Sequence, residues 1–301
     1  MKPTLLILAA GMGSRYGSLK QVDQLGPSGE TIIEYSVFDA MRAGFGKVVF
    51  VIRESIQKEF KAVFADKFAG KIEVDYVLQE LDNVPEGIEV PADRVKPWGT
   101  GHAVMVAADA IQEPFAMINA DDFYGKEAFE VMARYLEQVD PAKNQYSMVS
   151  YKLENTLSDH GFVSRGVCVK DGEDFLTSVT ERTKIGRRED GQIVFRDEVD
   201  GEGILEADTL VSMNFWGFTP TIFGYAKEYF IEFIQQNFHQ LKAEIYIPTV
   251  TSRTIEEEGA TVKVLTSDAQ WFGMTYKEDK AIVMGRLKEL TNEGSYPSPL
   301  W

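Results

Sequence analysis

Over the first 145 residues, short apolar runs alternate with stretches in which apolar residues return every third or fourth position. Residues 5–10 (Leu-Leu-Ile-Leu-Ala-Ala), 47–53 (Lys-Val-Val-Phe-Val-Ile-Arg) and 115–119 have the length and aliphatic content of buried strands, and 72–79 reads as another. Between them, Ile33, Val37, Ala40 and Met41 share one helical face and predict a helix over 31–44, closed by Gly44 and Gly46. Ile56, Phe60, Val63 and Phe64 predict a second helix over 55–68, and further helices are expected at 103–111 and 126–138. Strands alternating with helices make a parallel sheet covered on both faces, and such sheets bind ligands outside the carboxyl ends of their strands.

From residue 146 the texture changes to short strands joined by turns, at 146–153, 162–169, 175–182, 192–195 and 210–218. Helical patterns return at 221–241 and 246–258, followed by a strand at 261–266 and a helix at 277–291. The proline-rich, acidic stretch 82–97 reads as a surface excursion, and the tail 294–301, with two prolines, is expected on the surface. There is no internal repeat, low-complexity segment or linker, so we expect one α/β domain over 1–301 with a three-layer, mixed but mostly parallel sheet.

Composition narrows the class of partner. The 301 residues are 44% hydrophobic and 26% charged, as in ordinary globular proteins. A net charge of −16 argues against binding nucleic acid or anionic membranes, while leaving room for a phosphorylated substrate at a local Arg/Lys cluster. Cys168 is the single cysteine, so no internal disulfide can form. The first apolar run is six residues, too short for a signal-peptide core or a membrane span. A cytoplasmic protein is expected.

Candidate chemistry gathers at the predicted strand ends. The first strand runs into Ala10-Gly11-Met12-Gly13-Ser14-Arg15-Tyr16-Gly17-Ser18-Leu19-Lys20. Glycines let backbone N–H groups close on an anion, and Arg15 and Lys20 add positive charge, which is the make-up of a polyphosphate cradle. The glycine spacing is one residue too long for G-x-G-x-x-G, and no Gly-Lys-Ser/Thr follows as a P-loop needs. Gln79, at a strand end, offers an amide suited to the edge of a pyrimidine base, and Gly99 and Gly101 precede a helix where base and ribose need room. Asp121 and Asp122 end another strand, as an oxygen-seeking divalent cation requires. No Ser/His/Asp or Cys/His constellation is visible.

Taken in order, these motifs resemble the sugar-1-phosphate nucleotidylyltransferases (nucleotide-sugar pyrophosphorylases), especially the glucose-1-phosphate thymidylyltransferase and uridylyltransferase branches. Leu8 to Arg15 with Lys20-Gln21 is similar to the family's opening signature, and Gly101-His102-Ala103-Val104 to the uridylyltransferase helix start. Asp121-Asp122-Phe123-Tyr124-Gly125, Gly161-Phe162-Val163, Glu181-Arg182 and Asn214 with Gly217 follow, so the likeness covers roughly residues 4–220.

The resemblance implies a nucleotide-diphospho-sugar transferase (Rossmann-like) fold, with 1–145 as the nucleotide-binding half and 146–301 as the sugar-binding half. It implies a reaction of dTTP or UTP with a sugar-1-phosphate to give an NDP-sugar and pyrophosphate, with Mg²⁺ as cofactor. Ala10, Gly11, Gly13 and Ser14 would bind the nucleotide, with Arg15 and Lys20 on the leaving pyrophosphate. Asp121 would hold the metal, and Asp122 would support it or cap the next helix. Glu181 and Asn214 would meet sugar hydroxyls, and Arg182, with Lys184 as its rival, would hold the sugar phosphate. A homo-oligomer is compatible with the likeness.

One departure stands out. Where the family commonly ends a late strand in Trp-x-Asp, this chain reads Trp271-Phe272-Gly273. That motivates an alternative, a non-catalytic nucleotide-sugar-binding regulator. A further alternative keeps the fold and changes the substrates, to a cytidylyltransferase for a phospho-alcohol such as phosphocholine.

Overall fold

The computed structural model describes residues 1–11, 22–158, 160–197, 200–273 and 278–301. Strand β1 (Thr4–Leu8) shows how its layers arise: Leu5 and Ile7 enter one apolar cluster and Leu6 the other, as the two-residue period of a strand dictates. In β2 (Lys47–Ile52), Val48, Phe50 and Ile52 face the first cluster, and Val49 and Val51 the second. Between these strands runs α1 (Ile32–Ala43). It opens on a reciprocal cap, in which the Thr31 hydroxyl accepts the Glu34 N–H at 3.3 Å and the Glu34 carboxylate accepts the Thr31 N–H at 2.8 Å. It closes at Gly44, whose φ of 105° favours glycine.

The chain continues through α2 (Glu54–Phe68), β3 (Glu73–Leu78), α3 (Thr100–Met105), β4 (Phe115–Asn119), β5 (Asp122–Phe123) and α4 (Lys126–Leu136). The second half holds β6 (Gln145–Lys152), β7 (Val163–Lys170), β8 (Leu176–Arg187), β9 (Ile193–Asp197), β10 (Gly201–Leu205), β11 (Leu210–Phe218), α5 (Ile222–Asn237), α6 (Ile247–Glu258), β12 (Thr261–Thr266), β13 (Phe272–Gly273) and α7 (Asp279–Asn292). Helices α1, α2 and α4 cover one face of the sheet through Val37, Phe60, Phe64 and Met132; α3, α5 and α6 cover the other through Val104, Phe223, Phe230 and Val250.

Among the described residues the sheet has 11 strands, in the order β10-β9-β8-β7-β11-β4-β1-β2-β3, with β6 on β11 and β12 on β6. The block β4-β1-β2-β3 is parallel, as is β12 on β6. Strand β11 runs antiparallel to β4, β6 and β7 and so joins the two halves. Its ladder to β6 is irregular between Ser212 and Trp216, where Asn214 takes a left-handed φ of 64°. That kink lies at the carboxyl end of the parallel block.

The structure sharpens the sequence reading at several places. The helix expected over 103–111 is shorter, because after α3 the chain continues with i→i+3 bonds such as Ala107 N–H to Val104 O (3.0 Å). The excursion over 82–97 runs over the surface as expected, pinned by the buried Arg94, which donates to the carbonyls of Gln240 (2.6 Å) and Ala243 (2.7 Å). The tail lies on the surface, as expected, but is anchored there: Tyr296 and Leu300 turn inward against Ile32, Tyr35 and Leu287, and the Tyr296 hydroxyl donates to buried Asp39 at 2.7 Å. The apolar sides of α1 and α7 need that cover. The two-residue strands of the β5–β13 ladder escaped the sequence pattern because they are short, and β10 (Gly-Glu-Gly-Ile-Leu) because its two glycines and its exposure leave no apolar pattern. No helix of the described residues is long and apolar enough to cross a membrane.

Candidate active site

Three segments leave the parallel block by the same edge. Ladder bonds continue past the strands, from Ala9 N–H to Val51 O (2.8 Å), Gln79 N–H to Ile52 O (2.8 Å) and Ala120 N–H to Leu8 O (3.2 Å). This edge therefore gathers the loop opening at Ala10 and Gly11, the Gln79 side chain and the Asp121-Asp122 pair. Gly13, Ser14, Arg15 and Lys20 lie outside the described residues. Gln79 and His102 are buried and bonded to each other. Gly99 and Gly101 have a packing reason of their own: a Cβ at Gly99 would lie 2.3 Å from Ile245 O, and the Gly101 N–H donates to that same carbonyl at 3.0 Å.

Beside this edge opens a cavity of ≈ 690 Å³, lined by Asn119, Asp122, Arg165, Glu181, Asn214 and Trp271 among others. Its floor is a directed polar chain. The Trp216 indole can only donate, so it meets Asn214 Oδ1 (3.0 Å); Asn214 Nδ2 then donates to Asn119 Oδ1 (2.8 Å), and Asn119 Nδ2 to Asp122 Oδ2 (2.9 Å). Both amide orientations follow from the indole. The Tyr124 hydroxyl, fully buried, donates toward Met213 O (3.0 Å) and Asp122 Oδ2 (3.3 Å) while accepting the Asn119 N–H. This network seats the kink of β11 against the acidic strand end.

On β8, Glu181 lines the cavity. Partial burial in the wall raises its carboxyl pKa, with Arg165 opposing and Asp197 adding to the rise. Arg182, the next residue, does not line it. It bonds Asp197 at 2.7 Å and also pairs with Asp200, and its guanidinium sits 4.4 Å from the Phe195 ring centre. In the β7–β8 ladder Arg182 stands opposite Arg165, and Glu181 opposite Gly166. Lys184, exposed with φ 50°, sits in the irregularity that shifts β8 against β7.

The cation that does line the cavity is Arg165, on β7 beside Gly166. The sequence reading missed it. Its burial depends on Trp271, whose ring centre is 5.0 Å from the guanidinium, and no local pattern announces that contact. The lone thiol, Cys168, is buried and its pKa is pushed up to about 12, which removes it as a nucleophile.

The sequence profile of the family described as Nucleotidyl transferase matches residues 4–272. The chain belongs to that family. As a nucleotidyltransferase it shares its fold with two solved structures. An inositol-1-phosphate CTP transferase from T. maritima superposes with a TM-score of 0.61 at 14% identity, covering 96% of this chain and 97% of that one. A UDP-glucose pyrophosphorylase complexed with UDP-glucose superposes with a TM-score of 0.61 at 17% identity, covering 96% and 99%. No curated protein sequence matches.

The nucleotidyltransferase has a tightly packed acidic corner. In the β5–β13 ladder Gly273 faces Asp122, and a Cβ at Gly273 would lie 2.3 Å from Asp122 Oδ1. Asp122 therefore fills the space in which a side chain at 273 would stand. Among the described residues, no group of three or more His, Cys, Asp or Glu forms a metal cluster. Asp121 and Asp122 still offer adjacent hard oxygen donors, which fits a Mg²⁺ ion held by one or two carboxylates together with phosphates and water.

Proposed function

We propose that this nucleotidyltransferase joins dTTP or UTP to a sugar-1-phosphate, giving an NDP-sugar and pyrophosphate, with the whole chain acting as one domain. The observation that carries the reading is the cavity beside the strand edge. Its ≈ 690 Å³ suits a sugar phosphate, and it brings hydroxyl acceptors and amides (Glu181, Asn119, Asn214) together with one guanidinium and the Asp122 carboxylate. A pocket for a wholly apolar ligand would not carry that set.

In the proposed reaction an oxygen of the sugar phosphate attacks the α-phosphorus. The new P–O bond forms as the bond to the β-phosphate oxygen breaks and pyrophosphate leaves. The protein needs little covalent chemistry; it must bring two anions together and stabilise spreading charge. Arg15, Lys20 and the loop N–H groups from Ala10 to Ser14 would hold the β- and γ-phosphates. Gln79, Gly99 and Gly101 would meet the base, and Glu181 and Asn214 the sugar hydroxyls. Asp121 and Asp122 would hold Mg²⁺, which supplies charge neutralisation at the phosphates.

The test is pyrophosphate release in the presence of Mg²⁺, with dTTP, UTP and CTP each set against a panel of sugar-1-phosphates and inositol-1-phosphate. Release with UTP or dTTP and a sugar-1-phosphate supports the reading. Folded protein that releases none with any pair, or only with CTP and inositol-1-phosphate, overturns it.

A further inference from the structure

We propose that Arg165, rather than Arg182, holds the phosphate of the acceptor in this cavity. The inference rests on the reading above and names the group that would receive the acceptor's charge. Arg165 is 9% exposed and lines the cavity wall. Three of its five N–H donors have partners: Nε on Thr156 Oγ1 (3.2 Å), Nη1 on Ser164 O (2.8 Å) and Nη2 on Thr156 O. All three are uncharged. No carboxylate of the described residues forms an ion pair with it, although Asp122 and Glu181 act on it from a distance.

A buried cation without an anion is costly, and a guanidinium fixed by carbonyls keeps its geometry while it waits for one. One N–H on each terminal nitrogen is left over, which is what a phosphate accepting two bonds from a single arginine uses. Arg182 is the reverse case. Two carboxylates, Asp197 and Asp200, both bond its Nη1 and already neutralise it, so a phosphate there would meet a cation whose charge is balanced. Burial lowers the Arg165 pKa to about 10, so the group stays charged at neutral pH. Among the described residues it is the one Lys or Arg lining this cavity. A second cavity, of ≈ 620 Å³, meets the other side of Arg165 and Trp271, so the guanidinium stands in the partition between the two.

The experiment compares wild type with Arg165→Gln, Arg165→Lys and Arg182→Gln by titration calorimetry with glucose-1-phosphate and with inorganic phosphate, and by initial rates with each substrate varied. Arg165→Gln is expected to weaken binding of both phosphates by about 10- to 100-fold and to raise the acceptor KM alike, with the nucleotide KM unchanged. Arg165→Lys should fall between, and Arg182→Gln should stay near wild type. Full phosphate affinity in Arg165→Gln, or its loss in Arg182→Gln, overturns the proposal. If Arg165→Gln fails to fold, the Arg165→Lys and Arg182→Gln pair decides by the same criteria. Calorimetry does not require turnover, so a protein that binds phosphate through Arg165 yet releases no pyrophosphate would overturn the reaction and leave this assignment standing.

Discussion

Gln79 Nε2 lies 3.0 Å from Gly99 O and 3.1 Å from His102 Nδ1. A carbonyl cannot donate, so the amide nitrogen must be the atom that faces it. His102 Nε2 faces Asn83 O at 2.8 Å and therefore carries the imidazole hydrogen, which makes Nδ1 an acceptor. Both amide hydrogens of Gln79 are thus committed inside the protein. Oε1, with no partner among the described residues, is the acceptor left for a ligand, so a base meeting Gln79 must present an N–H.

This arrangement requires neutral His102, and burial holds its pKa near 4, against 6.5 for the free side chain. Between those values the unfolded chain binds more protons than the native one. The stability contributed is therefore present above about pH 6.5 and lost as pH falls toward 4. From pH 7 to pH 5 the loss should be about 2 kcal/mol from this residue. Urea unfolding of wild type and His102→Gln at both pH values checks it. The variant should lack that share of the slope, and equal slopes would refute the assignment.

Gly273→Ala places a methyl group 2.3 Å from Asp122 Oδ1 and 2.8 Å from Trp271 Cζ2. Either Asp122 swings off its amide partner or the β5–β13 ladder shifts. Overpacking of this kind costs about 1–3 kcal/mol, and the displaced carboxylate should lower pyrophosphate release by about tenfold or more. Thermal unfolding and initial rates read the two effects separately; wild-type values in both would show that the corner is soft.

Tyr296→Phe removes the hydroxyl that donates to Asp39, leaving this buried carboxylate with Arg42 at 2.7 Å as its cationic neighbour. Hydrogen bonds to charged groups contribute about 1.5–3 kcal/mol, and a loss of that size is expected in urea unfolding. A loss below about 0.5 kcal/mol would mean that water replaces the hydroxyl.

Much of the fold was legible because the unbroken apolar runs of β1 and β2 demand burial on both faces, which a parallel sheet covered by helices provides. The site was legible only in part. Glu181 and Asn214, named from motif likeness, both line the cavity. Arg182 was named with Glu181 from the same likeness, and its pairing with Asp197 and Asp200 comes from residues 15 and 18 positions away that no local pattern announces. Arg165 gave no local signal, since its environment comes from Thr156 and from Trp271, far along the chain. The glycines at 99 and 101 read as room for a ligand, while their tight packing on Ile245 depends on a contact between distant segments.

The short β5–β13 ladder has one more consequence. Phe123 and Phe272 stack within it at 4.3 Å, in the same apolar cluster that receives Tyr296 and Leu300. The last residues of the chain thus buttress the strand that carries Asp122. Removal of Tyr296 and Leu300 is therefore not neutral for this protein, because it perturbs the back wall of the acidic corner.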